Sequence, residues 1–250
     1  MKNLTNFVLI ATLVLVNLSV SKADTKQEIE KANKKGQIVF LVVTEKGNAQ
    51  TQEALKLAQN AQKLYPESEV FELDRGNLSN TELIKKYRLT SVPIPLILVI
   101  ASNGCVAGGA PSYNAKVEQL IMMVPSPREE EVLKAIYDGN TAFVVFSKKS
   151  DSKNKKQLDA CQSACKNMDN KASTINVDID DQKEKSFITK FNVDMKGTFP
   201  ITYVVNAQGQ VASMFTGIVE SKSLVEAAKK KVSSGCCPPG SGKTCEPTKK

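Results

Sequence analysis

The 250-residue chain carries 34 Lys and Arg against 26 Asp and Glu, a net charge of +8, with 41% hydrophobic and 24% charged residues. This is the balance of a folded globular protein, and it excludes the disordered, collagen-like and multi-spanning classes. The sequence contains no His. Ser-His-Asp and Cys-His nucleophiles are therefore excluded, together with His-ligated zinc and haem.

The chain opens with Lys2, an uncharged apolar run over residues 7–20, and then Ser21-Lys22-Ala23. A basic start, a short apolar stretch and small residues at −3 and −1 describe a secretory signal peptide over residues 1–23. The run is shorter than the roughly 20 residues that span a bilayer, so no stable membrane anchor is expected after cleavage. The mature chain is expected to begin at Asp24 and to be periplasmic or secreted. Lysine blocks such as Lys153-Asn154-Lys155-Lys156 read as solvated helix faces, and Lys229–Lys231 as a last helical turn. No aromatic side chains are interleaved with the charge as stacking platforms, so nucleic acid is not an expected partner.

From residue 24 onward the predicted elements come in two copies. A short charged helix (25–35; 128–137) leads into a β-branched strand after Gly36 or Gly139. A longer helix follows. In the first copy Ala54, Leu57, Ala58, Ala61, Leu64 and Tyr65 recur on one helical face, and Pro66 stops the helix. In the second, a helix over about 153–168 places Leu158, Cys161, Cys165 and Met168 on an apolar stripe. Next come a strand (70–73; 174–179) and a short helix (81–87; 183–191). A proline then opens a strand that returns through Asn103-Gly104 or Gln208-Gly209, read as tight hairpin turns, and a final helix closes each copy. The matching segments lie a little over a hundred residues apart, a spacing that indicates a duplicated domain rather than a solenoid. Pro125-Ser126-Pro127 is the linker, with Ser126 placed to cap the next helix and Pro127 at its first position. The expected organisation is 24–125, 126–232, and a tail over 233–250 without apolar periodicity.

This order of elements resembles the thioredoxin fold over nearly all of residues 24–232, twice. The most specific match is Gly197-Thr198-Phe199-Pro200-Ile201-Thr202-Tyr203-Val204-Val205, which resembles the family's cis-proline loop and the strand after it. The resemblance implies an α/β fold, a central mixed sheet flanked by helices in each of two tandem domains. It also implies that Thr198, Phe199 and Pro200, with Pro95 in the first copy, form a peptide-facing loop. Pro93 competes with Pro95: spacing to the Gly turn favours Pro95, spacing from Tyr87 favours Pro93. The family's redox CxxC falls at the start of the helix after the first strand. That place holds about Asn48-Ala49-Gln50-Thr51 in one copy and about Ser150-Asp151-Ser152-Lys153 in the other, and neither has a cysteine. Disulfide chemistry of the family's kind has no residues to run on, and the expectation leans away from an enzyme.

Six cysteines remain. Cys105 reads as a half-buried residue at the start of a strand, or as a thiol open to oxidation. Cys161 and Cys165 share a helix face and read first as core, with joint metal ligation a geometric alternative. Nothing in a Gly/Pro tail buries Cys236, Cys237 and Cys245. A bond from Cys245 to one neighbour, capture of Cu(I) or Zn(II), and a tail without a role all stay open. Cys237–Thr244 approaches a P-loop, but no strand precedes it and the first Gly is missing. Asp178, Asp180 and Asp181 read as a solvated turn. The leading expectation is an exported, redox-inactive binding or scaffold module for a protein or peptide. The alternative is thiol–disulfide exchange or soft-metal binding by the tail, and no other cofactor is expected.

Overall fold

Asp24 starts the first helix by accepting the Lys26 N–H at 3.2 Å, and α1 (Thr25–Lys34) buries Ile29 and Ala32. The computed structural model describes residues 24–230 together with Val232. The expected signal segment, Lys231 and the tail with Cys236, Cys237 and Cys245 lie outside the described residues.

Gly36 takes φ +74°, a left-handed turn that glycine adopts without strain, and releases the chain into β1 (Ile38–Thr44). All seven residues of β1 are buried, as expected of a central strand covered on both faces. The first domain continues through α2 (Thr51–Leu64), β2 (Ser68–Asp74), α3 (Thr81–Lys86), β3 (Leu96–Ile100), β4 (Val106–Pro111) and α4 (Val117–Met122). The second repeats it with α5 (Pro127–Tyr137), β5 (Thr141–Ser147), α6 (Ser152–Lys166), β6 (Ala172–Asp178), α7 (Lys185–Lys190), β7 (Ile201–Val205), β8 (Val211–Thr216) and α8 (Ser221–Ala228).

The two sheets have the same order, β2-β1-β3-β4 and β6-β5-β7-β8. In each, the first two strands pair in parallel and the others antiparallel. The period-2 alternation of the central strand feeds two cores per domain. Val39, Leu41 and Val43 pack with Ile29 and Leu83 on one face, while Phe40 and Val42 meet Ala54, Ala58 and Leu120 on the other. In the second domain Val144 and Phe146 join Val132 and Phe187, and Phe143 and Val145 join Cys161 and Leu224. This is the tandem α/β architecture, two mixed sheets flanked by helices, that the thioredoxin resemblance implies.

Several local expectations are corrected. Leu64, expected on the buried face of α2, is 64% exposed, because the helix ends there and Tyr65 packs in its place. The hairpins turn within four residues, as the Asn-Gly and Gln-Gly pairs suggest. Gly104 N donates to Ala101 O and Gly209 N to Asn206 O, and each turn is closed by a left-handed glycine with a register shift in the ladder beside it. Cys105 precedes its strand and is buried, its N–H taken by Asn103 Oδ1 at 3.0 Å. The helix expected over 183–191 divides into a 3₁₀ turn at Gln182–Glu184 and the shorter α7. Its last turn residue, Glu184, points inward and accepts from Ser126 Oγ and, at 3.1 Å, from Arg128 N. The last helix stops at Ala228, leaving Lys229 as its C-cap rather than within a final turn.

Ser126 caps α5, accepting from Glu129 N at 3.3 Å, with Pro127 at the first helical position. One residue further, Glu130 reaches back to the first domain. Its carboxylate accepts from Ser102 N at 3.1 Å and from Ser102 Oγ, and its carbonyl accepts from Asn103 Nδ2 at 2.7 Å. Among the described residues no helix is long and apolar enough to cross a membrane.

Candidate functional site

Two places in each domain bear on chemistry: the start of the helix after the central strand, and the proline loop facing the next strand. At the first place the helix termini are occupied by ordinary polar contacts. Asp151 caps α6, its Oδ1 accepting from Lys153 N at 2.9 Å. In the first domain Asn48 Oδ1 accepts from Gln50 N at 2.9 Å, and the Thr44 and Thr51 hydroxyls are hydrogen-bonded to each other. A helix N-terminus lowers the pKa of a thiol placed on it. Here no thiol is placed on either.

At the second place both Ile94–Pro95 and Phe199–Pro200 are cis. Each proline carbonyl accepts from the chain just beyond the edge strand, Pro95 O from Ser112 N at 2.9 Å and Pro200 O from Gly217 N at 2.7 Å. The loops thus close the same end of the two sheets, but their surroundings differ. In the first domain Arg75 Nη1 donates to Val92 O at 2.9 Å while its Nε donates to Glu45 Oε1 at 2.7 Å, so an ion pair ties the loop down. The second domain has Ile179 and Lys148 in the corresponding strand-end positions, and Ile179 is buried in the core. Phe199 and Pro200 are buried, and Thr198 is exposed.

Beside Thr198 lies a cleft of about 620 Å³, floored by Ile201, Tyr203 and Met214 and walled by Phe191 at the end of α7. Tyr203 donates its hydroxyl to Phe191 O at 3.0 Å, and the two rings meet edge-on with centroids 4.8 Å apart. Phe146 and Phe187 extend the cluster beneath, with centroids 5.7 Å from Tyr203 and 5.0 Å from Phe191 respectively. Burial pushes the Tyr203 phenol above its ordinary pKa, so it stays a neutral donor. The cleft is therefore closed beneath by the buried Ile201 and Tyr203 and open to solvent along Val211 and Met214, which are 45% and 54% exposed. It was not legible in the sequence: Phe191, Tyr203 and Met214 lie in three elements and meet only across the sheet.

The described thiols are packing groups. Cys161 is fully buried and burial pushes its thiol up to about 12, against the Gln157 Nε2 hydrogen bond at 3.5 Å, which works in the other direction. Burial also raises Cys165, whose sulfur lies 3.5 Å from the Thr174 hydroxyl, and Cys105. Soft-metal ligation needs thiolates, and raised pKa values oppose them. Among the described residues no group of three or more Cys, Asp or Glu is placed to hold a metal ion. Asp178 and Asp181 serve their own turn, accepting from Asp180 N at 3.1 Å and Lys183 N at 2.9 Å.

No protein-family model matches the sequence, and no curated protein matches it significantly. Solved structures similar to it include a thioredoxin-2 described as a component of the malaria parasite protein secretion machinery, at 18% identity and TM-score 0.32, covering 37% of this chain and 84% of that one. The first two thioredoxin domains of Saccharomyces cerevisiae Eps1p align at 12% identity and TM-score 0.31, covering 84% of this chain and 97% of that one. The N-terminal domain of alkylhydroperoxide reductase AhpF from Enterococcus faecalis aligns at 15% identity and TM-score 0.28, covering 82% and 97%. By the strand order, the single parallel pair and the cis-proline loop, each found twice, the chain is a tandem of two thioredoxin-like domains.

Proposed function

We propose that this tandem is a binding module without redox chemistry of its own, in which the second domain holds a protein or peptide segment beside Pro200. The observation that carries the reading is the apolar cleft of about 620 Å³ lined by Gly197 and Thr198 of the cis-proline loop, in a domain whose α6 starts with Asp151 and Ser152 and no cysteine. Concave apolar surfaces with a few polar groups are the usual form of a binding site. In this reading residues 1–23 direct export, so the module works in a periplasm or outside the cell. N-terminal sequencing of exported protein is expected to begin at Asp24.

Fluorescence polarisation of labelled extended decapeptides against the full chain tests the binding. Met214→Lys and Thr198→Arg place charge and bulk in the cleft from exposed positions, so unfolding midpoints are expected to move by less than about 0.5 kcal/mol. Binding is expected to weaken at least about tenfold, the order of one lost buried anchor. Unchanged affinity in both variants would sink the proposal, as would reduction of insulin disulfides by a full chain with all three tail cysteines replaced by Ser. Thiol exchange or Cu and Zn capture through Cys236, Cys237 and Cys245 remains the sequence-based alternative. Titration of reduced full chain with Cu(I) or Zn(II) decides that one.

A further inference from the structure

We propose that the occupant of this cleft is an extended segment added as a fifth strand along β8, carrying an Arg or Lys whose cation is received by Asp194. The inference rests on the binding reading above and adds the chemistry of the partner.

The edge comes first. β8 ends the sheet order of the second domain, so among the described residues one side of its backbone has no strand partner. Proteins blunt such edges with charges, prolines or glycine-rich kinks. β4, the matching edge, has Gly108, Gly109 and Pro111. β8 reads Val211-Ala212-Ser213-Met214-Phe215-Thr216, with none of these guards. Its exposed apolar side chains Val211 and Met214 are followed, two residues past the strand, by Ile218 at 50% exposed. An added strand supplies the missing backbone hydrogen bonds, and its alternate side chains meet Met214 and the cleft.

Charge then selects the partner. Two charged residues line the cleft, Lys190 and Asp194. The Lys190 ammonium sits between both carboxylate oxygens of Glu129, each at 2.8 Å, and is neutralised. Asp194 uses Oδ1 to accept from Lys196 N at 2.9 Å, and its carboxylate makes no ion pair among the described residues. The uncompensated charge at the site is therefore negative, and an apolar segment with a neighbouring cation complements it.

The test uses the full chain and a labelled decapeptide of alternating Val and Thr with a central Met and one flanking Arg, beside the same peptide with Glu in place of Arg. The Arg peptide is expected to bind about two- to fivefold more tightly at low salt, the scale of one exposed ion pair. Asp194→Asn is expected to abolish the preference and Asp194→Lys to reverse it. N-methylation of alternate peptide residues is expected to remove binding in the register whose N–H groups face β8, since it deletes the ladder donors, and to spare it in the other. Equal affinity for the two peptides, both weakened by Met214→Lys, overturns the cation assignment while leaving the cleft as the binding site. Binding that survives N-methylation in both registers overturns strand addition. No binding of either peptide overturns this inference and the reading beneath it. A dimer in sedimentation velocity that Met214→Lys dissolves assigns the edge to a second copy of the chain instead.

Discussion

At the scale of single residues, the thiols and one hydroxyl make measurable statements. The Cys161 pKa is raised by burial from an ordinary 9 to about 12, so the folded state keeps a proton that the unfolded state gives up. Stability from this group is present below pH 9 and is lost as pH rises from there towards 12. Urea unfolding between pH 8 and pH 10.5 is expected to show a midpoint that falls above pH 9, with the fall reduced in Cys161→Ala. The same protonation predicts that thiol reagents at pH 7.5 modify Cys161 only on unfolding; rapid labelling of folded protein at this residue would contradict the burial. Thr202, two residues beyond Pro200, is fully buried and its hydroxyl has no hydrogen-bond partner among the described residues. Replacing it with Val removes an unpaired polar atom at nearly constant shape. Thr202→Val is expected to stabilise the second domain by about 1 kcal/mol, read as an upward shift of the urea midpoint.

At the scale of elements, the two edge strands show how one topology serves different ends. β4 can hold Gly108 and Gly109 because core side chains lie over them. A Cβ on Gly109 would come within 2.6 Å of Leu98 Cδ2 and 3.3 Å of the Ile97 carbonyl, and one on Gly108 within 2.9 Å of Met123 Cγ. Gly109→Val therefore forces Leu98 from its place and is expected to cost about 1–3 kcal/mol, measured by denaturant unfolding of the full chain. β8 carries its own side chains instead, and the cleft opens beside them. α6 is held by a similar economy of small groups. Gln157, buried in its second turn, accepts from Val219 N at 2.8 Å and ties the helix to the segment after β8. The segment that leaves β8, on which the cleft sits, is thereby tied to α6.

At the scale of the molecule, Glu130 is the joint. Its three hydrogen bonds reach Ser102 and Asn103 in the turn between β3 and β4, across the boundary between the sheets. Glu130→Lys removes the carboxylate acceptor that Ser102 uses and puts a cation in its place. The expected result is a broader interdomain distance distribution in small-angle X-ray scattering, with the unfolding of each domain unchanged because both cores lie away from the joint. An unaltered scattering profile would show that packing, rather than this carboxylate, sets the arrangement. Two separable unfolding transitions are expected in that variant, since each sheet has its own pair of cores.

The amino-acid sequence by itself determined the tandem α/β architecture, because β-branched runs, helical stripes and glycine turns recur in one order and each is a local property of neighbouring residues. It also determined the missing CxxC and the absence of His-dependent chemistry, which composition and spacing state without any structure. Ser126 and Pro127 marked the start of α5 for the same local reason, through capping and a fixed φ. Which proline is cis was left open between Pro93 and Pro95, and the structure has the Ile94–Pro95 bond cis. The inward turn of Glu184, the Arg75–Glu45 tie and the Glu130 joint were decided only by tertiary structure. Each pairs groups 28 to 58 residues apart in the chain. The same holds for the cleft: Phe191, Tyr203 and Met214 are ordinary apolar residues in sequence, and they make a surface only because a short helix ends above an uncovered pair of strands. Periodicity reports which face of an element is buried. It carries no record of where two buried faces fail to meet.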